Sequence, residues 1–510
     1  MRLSTKHANQ QSVEFKDFSG GLNTANAIEM IQPNELNRCV NFELMGNLLR
    51  TVSGTKPIFT TEDLHFTDIT YDVINDLLIV CAIERGNDGI VTGRKVYTIR
   101  SDGTELTMRG ALTGNITPGF ASWEDGVLIA SGGKLQYWNG TDLVTIATSP
   151  DVCNGVFVTH GRVVVYYGDK LHYSAVGDET DWTEDTNVDS SSKWMQVGYK
   201  DGGRITTVVS LSKDIIVFKS NNTAYHVAGQ YPDWAQREIS RNIDDKSWRG
   251  AVSLTNSVIV LGRSSVQAVA TTDDYGDMKA TSLSSKIQED IQALPDNVKV
   301  RFIAPLNQIW FISGQRQFLF MDIDHQAFLR REYNKEALDV CYKNDTVYVL
   351  KDQEICYLDN GGQMMDSGDT LRWQMHAKTL VANYDYLVKR AHVDITPLFQ
   401  TYAYVNFYIG HVLLSELVPK EALQIYHDYT YIYHSKRGIK GKPIASIYTN
   451  GDEIYDNDYE LWQNGTYLKS IAYVRQTKRQ VDRHKAIKIY GKGAGGRFIL
   501  NLINFDLVEV

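Results

Sequence analysis

Few residues of this chain stand where they could do chemistry. Gly491, Gly493 and Gly496 in GKGAGG match the GxGxxG spacing that lets a backbone approach a dinucleotide pyrophosphate. That chemistry needs a strand before the loop and a helix after it, so that the helix N-terminus meets the phosphate. Here AIKIY precedes and RFILNLINF follows, which makes the segment a glycine-rich connection between strands. No HExxH, GxSxG or GxxxxGK(S/T) motif occurs. The histidines are dispersed: His160 falls in a turn and His172 and His226 in strands, positions suited to structural side chains. Asp244-Asp245 and Asp273-Asp274 are carboxylate pairs on loops, and nothing sets either pair across a substrate. Cys39, Cys81, Cys153, Cys341 and Cys356 are widely separated, with no CxxC pair to hold zinc. Three of them lie in apolar strand runs, where a thiol serves as a small core residue. Neither a disulfide framework, a metal, a cofactor nor a catalytic residue is expected.

Two charged stretches remain. GDETDWTEDTNVDSSS, Gly177–Ser192, carries Asp178, Glu179, Asp181, Glu184, Asp185 and Asp189 and no basic residue. It reads either as a solvated loop or as a loop that lines or guards a channel. RQTKRQVDRHK carries Arg475, Lys478, Arg479, Arg483 and Lys485. It reads as a solvated strand face or as a subunit or ring–ring contact, where Arg is enriched. The net charge is −9, from 52 basic and 61 acidic residues. A protein that grips phosphates normally carries a basic surface, which argues against sequence-specific DNA binding. An acidic wall past which DNA slides is still allowed, because like charge prevents sticking.

The elements that carry these residues are strands. A chain of 510 residues exceeds one compact core. Its 39 Gly and 29 Tyr against 10 Pro point to an all-β chain with many turns. Seven apolar runs each follow a tight turn: LLIVCAI from Leu77, VLIASGG from Val127, VVVYYG from Val163, IIVFKS from Ile215, VIVLGR from Val258, IWFISG from Ile309 and VYVLKD from Val347. The turns hold Asn75-Asp76, Asp125-Gly126, His160-Gly161, Lys213-Asp214, Asn256-Ser257, Leu306-Asn307 and Asn344-Asp345. A more polar strand follows each run. The spacing averages roughly 45 residues, the period of a four-stranded propeller blade.

We expect a β-propeller over 61–380, of about seven blades with six or eight also open, and insertions near 177–192 and 286–294. KIQEDIQAL in the second insertion predicts a short helix with Ile287, Ile291 and Leu294 on one face. Within an N-terminal segment 1–60, IQPNELNRCVNFEL predicts another helix, with Pro33 at its first position and Leu36, Cys39 and Val40 on one face. Residues 381–510 hold strands without the propeller period, the pattern of a β-sandwich. The N-terminus lacks the apolar stretch of a signal peptide, and no apolar run approaches the ~20 residues of a membrane helix. A product made in a cytoplasm, without membrane insertion, is expected.

The N-terminal segment reads DFSGGLNT at Asp17–Thr24, then IQPNELNRCVNFEL, then GNLLRTVSGT at Gly46–Thr55. It resembles the opening of the nozzle (tail tubular, packaged-DNA stabilisation) proteins of short-tailed bacteriophages. The matching positions are Phe18, Gly20, Gly21, Leu22, Asn23, Asn41, Gly46, Leu48 and Arg50. The family's Arg-x-Gly after the hairpin is stretched here to Arg50 and Gly54. The resemblance implies a propeller between flanks that join as a platform. It also implies a hexameric ring in the virion tail, below the portal and its adaptor ring protein. Such a ring retains packaged double-stranded DNA, conducts it during ejection through the host envelope and carries tail fibres or spikes. In that setting the six acids of Gly177–Ser192 are candidates for a lumen or gate element.

Two other classes stay open. One is a carbohydrate-binding or carbohydrate-cleaving propeller, for which SDGTEL at Ser101–Leu106 is similar to the Asp-box turns of propeller sialidases but lacks their closing Trp. The other is a WD-type scaffold, although Trp-Asp strand endings do not recur and Asp181-Trp182 has the reverse order.

Overall fold

A computed structural model describes residues 10–85, 91–243, 249–271, 278–360, 364–398, 402–409, 412–413, 423–426, 432–433, 470–475, 484–487, 489–495 and 497–509. Strands make up almost all of its regular structure. The chain divides into two compact units. One comprises Pro57–Phe318 and Lys335–Tyr357, the other Met1–Lys56, Leu319–Asn334 and Leu358–Val510.

The first unit is the β-propeller. Five four-stranded antiparallel sheets follow one another over 65–111, 119–145, 155–196, 205–240 and 251–282. The hairpin Lys299–Ile303/Gln308–Ile312 and the strands Asp339–Lys343, Thr346–Leu350 and Glu354–Asp359 repeat the pattern twice more. In all seven, the expected turn joins the first strand to the second, so the described residues hold seven blade patterns. Asp76, His160, Asn307 and Asn344 sit in those turns with φ of 54°, 50°, 53° and 49°. This left-handed region is tolerated best by such short polar or His side chains, and that explains the residue types.

Continuous apolar runs occupy the second strands because each is buried on both faces. Along Leu77–Arg85, Leu78, Val80 and Ala82 join a core with Tyr348, Leu350 and Ile355 of the seventh blade. The alternate residues Ile79 and Cys81 join Val127, Ile129 and Trp138 of the second. The same alternation places Leu128 and Ala130 with Val163 and Val165, Val164 and Tyr166 with Ile215 and Val217, and Ile216 and Phe218 with Val258 and Val260. Strand period two thus serves two cores at once. The insertion after the fifth blade does form a short helix, Gln288–Ala293, preceded by a 3-10 turn, with Ile287 and Ile291 buried.

In the second unit, one sheet runs in the order Phe42–Met45, Leu48–Thr51, Phe498–Glu509, Leu380–Pro397, Ser470–Arg475. Gln10–Phe15 is added against Phe498–Glu509, in the register Gln10↔Val508. Another places Glu35–Val40, Arg372–Ala377, Ile489–Gly495 and Tyr402–Ile409 side by side. Phe42 and Phe498 of the one each meet Trp373 of the other edge to face, with ring centroids 5.3 Å apart, and meet one another at 5.9 Å. N- and C-terminal flanks therefore share both sheets, packed as a sandwich.

The helix expected over IQPNELNRCVNFEL is not formed. The segment makes two strands, Glu35–Val40 and Phe42–Met45, separated by Asn41 at φ 60°. A β-bulge between Leu36 and Arg38 puts Leu36 and Cys39 on the same side, opposite Ala377 and Met375. Three-residue spacing of apolar positions, the mark of a helix, here comes from that bulge. Asn41 then fastens the reversal: its amide donates to the carbonyls of Glu332 and Arg372 at 3.0 and 2.7 Å and accepts from the Glu332 N–H at 2.8 Å. On the hairpin that follows, Glu43 is buried and gathers Arg50, Arg331 and Arg497 at 2.9, 3.1 and 3.6 Å.

Gly21 and Gly46 separate two costs. Both have left-handed φ, 63° and 57°, but a Cβ on Gly21 would come within 2.8 Å of Ala327 Cβ, whereas one on Gly46 meets open space. Gly21→Ala is expected to cost about 2–4 kcal/mol, from backbone strain plus overpacking. Gly46→Ala is expected to cost about 1 kcal/mol. Comparing the denaturant midpoints of the two variants tests this order.

Candidate functional site

The first strands of blades two to seven contact one another in turn, and that of blade seven, Asp339–Lys343, packs against His65–Asp72 of blade one. They bring together charges that are far apart in sequence. Asp68 and Asp339 are fully buried. Lys299 Nζ lies 2.7 Å from Asp68 Oδ1, off the angle of a hydrogen bond, and 3.4 Å from Asp339 Oδ2. It donates to the Thr67 carbonyl at 2.5 Å. Arg301 grips Asp339 with two N–H groups at 3.0 and 3.3 Å, and the Ile69 N–H reaches the same carboxylate at 3.3 Å. Arg94 approaches Asp68 at 3.4 Å. Arg249, just before the fifth blade, donates to the Thr117 carbonyl at 3.1 Å.

Electrostatics within the cluster follow from burial and pairing. Burial pushes the Asp68 carboxyl up, but Lys299 outweighs it and holds the group below the ordinary carboxylate value. Burial pulls Arg301 down, and Asp339 more than restores it. Arg249 is pulled down by its burial, which Tyr166, Asp68 and Asp339 offset only in part. Both carboxylates are thus committed to cations, an arrangement suited to fastening the first blade to the sixth and seventh and not to proton transfer. Sequence reasoning missed this cluster because its members lie more than two hundred residues apart in some pairs, such as Asp68 and Lys299. The available signal was a charge inside the first strand of a blade, as in HFTDITYD and KVRFI.

The acidic insertion joins the third strand of blade three, Lys170–Tyr173, to its outer strand, Lys193–Gln196. It is fastened from beneath by cations outside the run. Buried Arg162 donates to the carbonyls of Ser174, Ser191 and Asp189 at 2.6, 2.7 and 2.5 Å, and Lys193 donates to the Asp185 carbonyl. Glu179 accepts from Trp123 Nε1 at 3.0 Å. Asp178 caps the Thr180 and Asp181 N–H groups at 2.8 and 3.2 Å, and the Thr180 hydrogen bonds hold its carboxyl below the ordinary value. Asp181 is half-buried, while Glu184, Asp185 and Asp189 are exposed. The insertion is a shaped loop with an acidic outer surface.

Of the basic stretch, Arg475 ends the strand Ser470–Arg475, opposite Arg390, and Lys485 lies in His484–Ile487. Lys478, Arg479 and Arg483 lie outside the described residues, as do Asp244-Asp245 and Asp273-Asp274. GKGAGG is not a connection between strands: Gly491, Gly493 and Gly495 belong to the strand Ile489–Gly495, paired on both sides, with Gly493 opposite Trp373 and Val405. His226 Nε2 is 2.7 Å from Asp214, and all five cysteines are free thiols.

No family model and no curated protein matches the chain. Among solved structures, it is similar to a Myceliophteria thermophila Cps50 (Swd1) β-propeller domain, 12% identical over 60% of this chain and 100% of that one, with a TM-score of 0.41. It is also similar to the WD40 β-propeller domain of Doa1, 12% identical over 60% and 95%, with a TM-score of 0.38. A third is the computationally designed Ika8 protein, 10% identical over 59% and 99%, with a TM-score of 0.36.

Removing one partner strands a buried charge, so Asp339→Asn is expected to cost about 3–5 kcal/mol. Because Asp68 is depressed in the folded chain, its contribution is present above the unfolded carboxylate value of about 4 and is lost as pH falls through the lower folded value. Asp68→Asn should therefore lose less stability than wild type between neutral pH and acid, as read by thermal unfolding across that range. For the insertion, Arg162→Met is expected to leave three carbonyls without their donor and to make Gly177–Ser192 the first site of limited proteolysis.

Proposed function

We propose that the chain is a structural subunit of a short-tailed phage tail. It would form the nozzle ring below the portal and its adaptor, retaining packaged DNA and conducting it during ejection. The observation that carries this reading is what the matching N-terminal residues do. Phe18 is buried, and Gly21 takes the one conformation and space only glycine fits. Asn23 Nδ2 donates to Glu35 at 2.7 Å. Asn41 fastens the reversal, Gly46 turns the hairpin and Arg50 pairs with buried Glu43. These residues build the unit in which both flanks share sheets, so the resemblance rests on residues with architectural work and not on surface composition.

The proposed role is not enzymatic, and its partners are other copies of the chain, the adaptor ring protein, tail fibres or spikes, and DNA passing without specific binding. The net charge of −9 and the exposed acids of Gly177–Ser192 suit a surface past which a polyanion slides. Arg475, Lys478, Arg479, Arg483 and Lys485 are the candidate contact between copies or rings.

Electron microscopy of the purified chain, or of virions that contain it, is expected to find a six-fold ring at the tail. A monodisperse monomer would reject the reading. Exchanging Asp178, Glu179, Asp181, Glu184, Asp185 and Asp189 for their amides should change DNA retention or ejection and leave the ring intact. Unchanged ejection would remove the insertion from the gate.

A further inference from the structure

The acidic insertion also builds a concavity. With the segment entering blade three, it lines an open cleft of about 390 Å³ whose walls include Thr148, Asp151, Tyr167, His172, Trp182 and Ser192. That volume lies within the range of small-molecule sites. The aromatic wall is ordered: Tyr167 and His172 stack with centroids 5.1 Å apart and planes 8° from parallel. Trp182 is fixed by its Nε1–H, which donates to the Glu179 carbonyl at 2.7 Å. The His172 Nε2 is buried and makes no hydrogen bond within the protein, and burial, then Lys170, holds the ring below its ordinary pKa, so it is neutral near pH 7. Asp151, held by Lys134 at 3.0 Å, leaves its side chain 90% exposed at the rim.

Aromatic side chains in the wall, a neutral imidazole and one carboxylate at the rim suit a ligand with apolar C–H faces and many hydroxyls. The rim carboxylate and the exposed Glu184 disfavour an anion. From this geometry we propose that the cleft is a binding site for a neutral monosaccharide unit of a glycan, stacked on Trp182 or Tyr167 and hydrogen-bonded to Asp151. The proposal does not rest on the nozzle reading, since it concerns one blade and holds for a monomer or a ring.

The test uses the full chain, titrated with glucose, galactose and N-acetylglucosamine, and with choline chloride and inorganic phosphate as comparators. Tryptophan fluorescence and ligand-observed saturation-transfer NMR report binding. At least one sugar should saturate, phosphate should not, and Trp182→Ala should weaken binding about ten-fold, one stacking contact's worth. Because Trp182→Ala also disturbs the insertion, Asp151→Asn serves as the second variant. Its side chain is exposed, so the fold stays and affinity falls. Saturation by no sugar, preference for choline or phosphate, or sugar binding unchanged in both variants would overturn the proposal.

Discussion

Burial of the second strand of every blade on both faces is the constraint from which the rest of the propeller follows. An isolated sheet of this kind would expose one of its two apolar faces, so a blade is stable only between neighbours. Leu78 and Ile79 are adjacent in sequence yet belong to different cores, shared with the seventh and second blades. Each core is therefore the joint property of two blades, and closing the ring is a condition for burying the first and last of them.

Closure is where charge enters. The apolar core of Phe66, Leu78, Tyr348 and Ile355 supplies the non-directional attraction between the seventh and first blades. Beside it, Asp68, Lys299, Arg301 and Asp339 supply direction. Buried ion pairs contribute little net stability over an apolar replacement, because desolvation offsets their attraction. What they add is a penalty on any arrangement that leaves one member unpaired. A bidentate Arg301–Asp339 pair is met only when the sixth and seventh blades stand in their native places.

In the other unit the same logic holds around Glu43. One buried carboxylate collects three guanidinium groups from the hairpin and from distant segments, next to the Phe42–Trp373–Phe498 contact between sheets. The insertion of blade three works differently. Its carbonyls, not its carboxylates, are what Arg162 and Lys193 hold. The acidic side chains shape the loop through neutral donors, as Asp178 and Glu179 do, and Glu184, Asp185 and Asp189 stay exposed at the surface. That separation of anchoring from surface charge is what lets one segment serve both as an acidic surface and as the wall of a cleft.

From the sequence alone the propeller was legible, because strand period, turn chemistry and two-sided burial are local and repeat seven times. Asn75-Asp76 and Asn344-Asp345 could be read as turns without knowing what they face. The short helix at Gln288–Ala293 was legible for the same reason, with Ile287 and Ile291 marking its buried face. Leu36, Cys39 and Val40 were misread, since a bulge and a helix both bring residues three apart to one side. Only pairing with Arg372–Ala377, more than three hundred residues away, decides between them. GKGAGG was rightly set apart from a phosphate loop by its neighbours, but that it is a central strand depends on partners at Arg372–Ala377 and Tyr402–Ile409. The charge cluster and the cleft were invisible for one physical reason. Attraction between Asp68 and Lys299, or the meeting of Trp182 with the Tyr167–His172 stack in one cleft, depends on distances in space that sequence separation does not encode, and the folded blades alone set them.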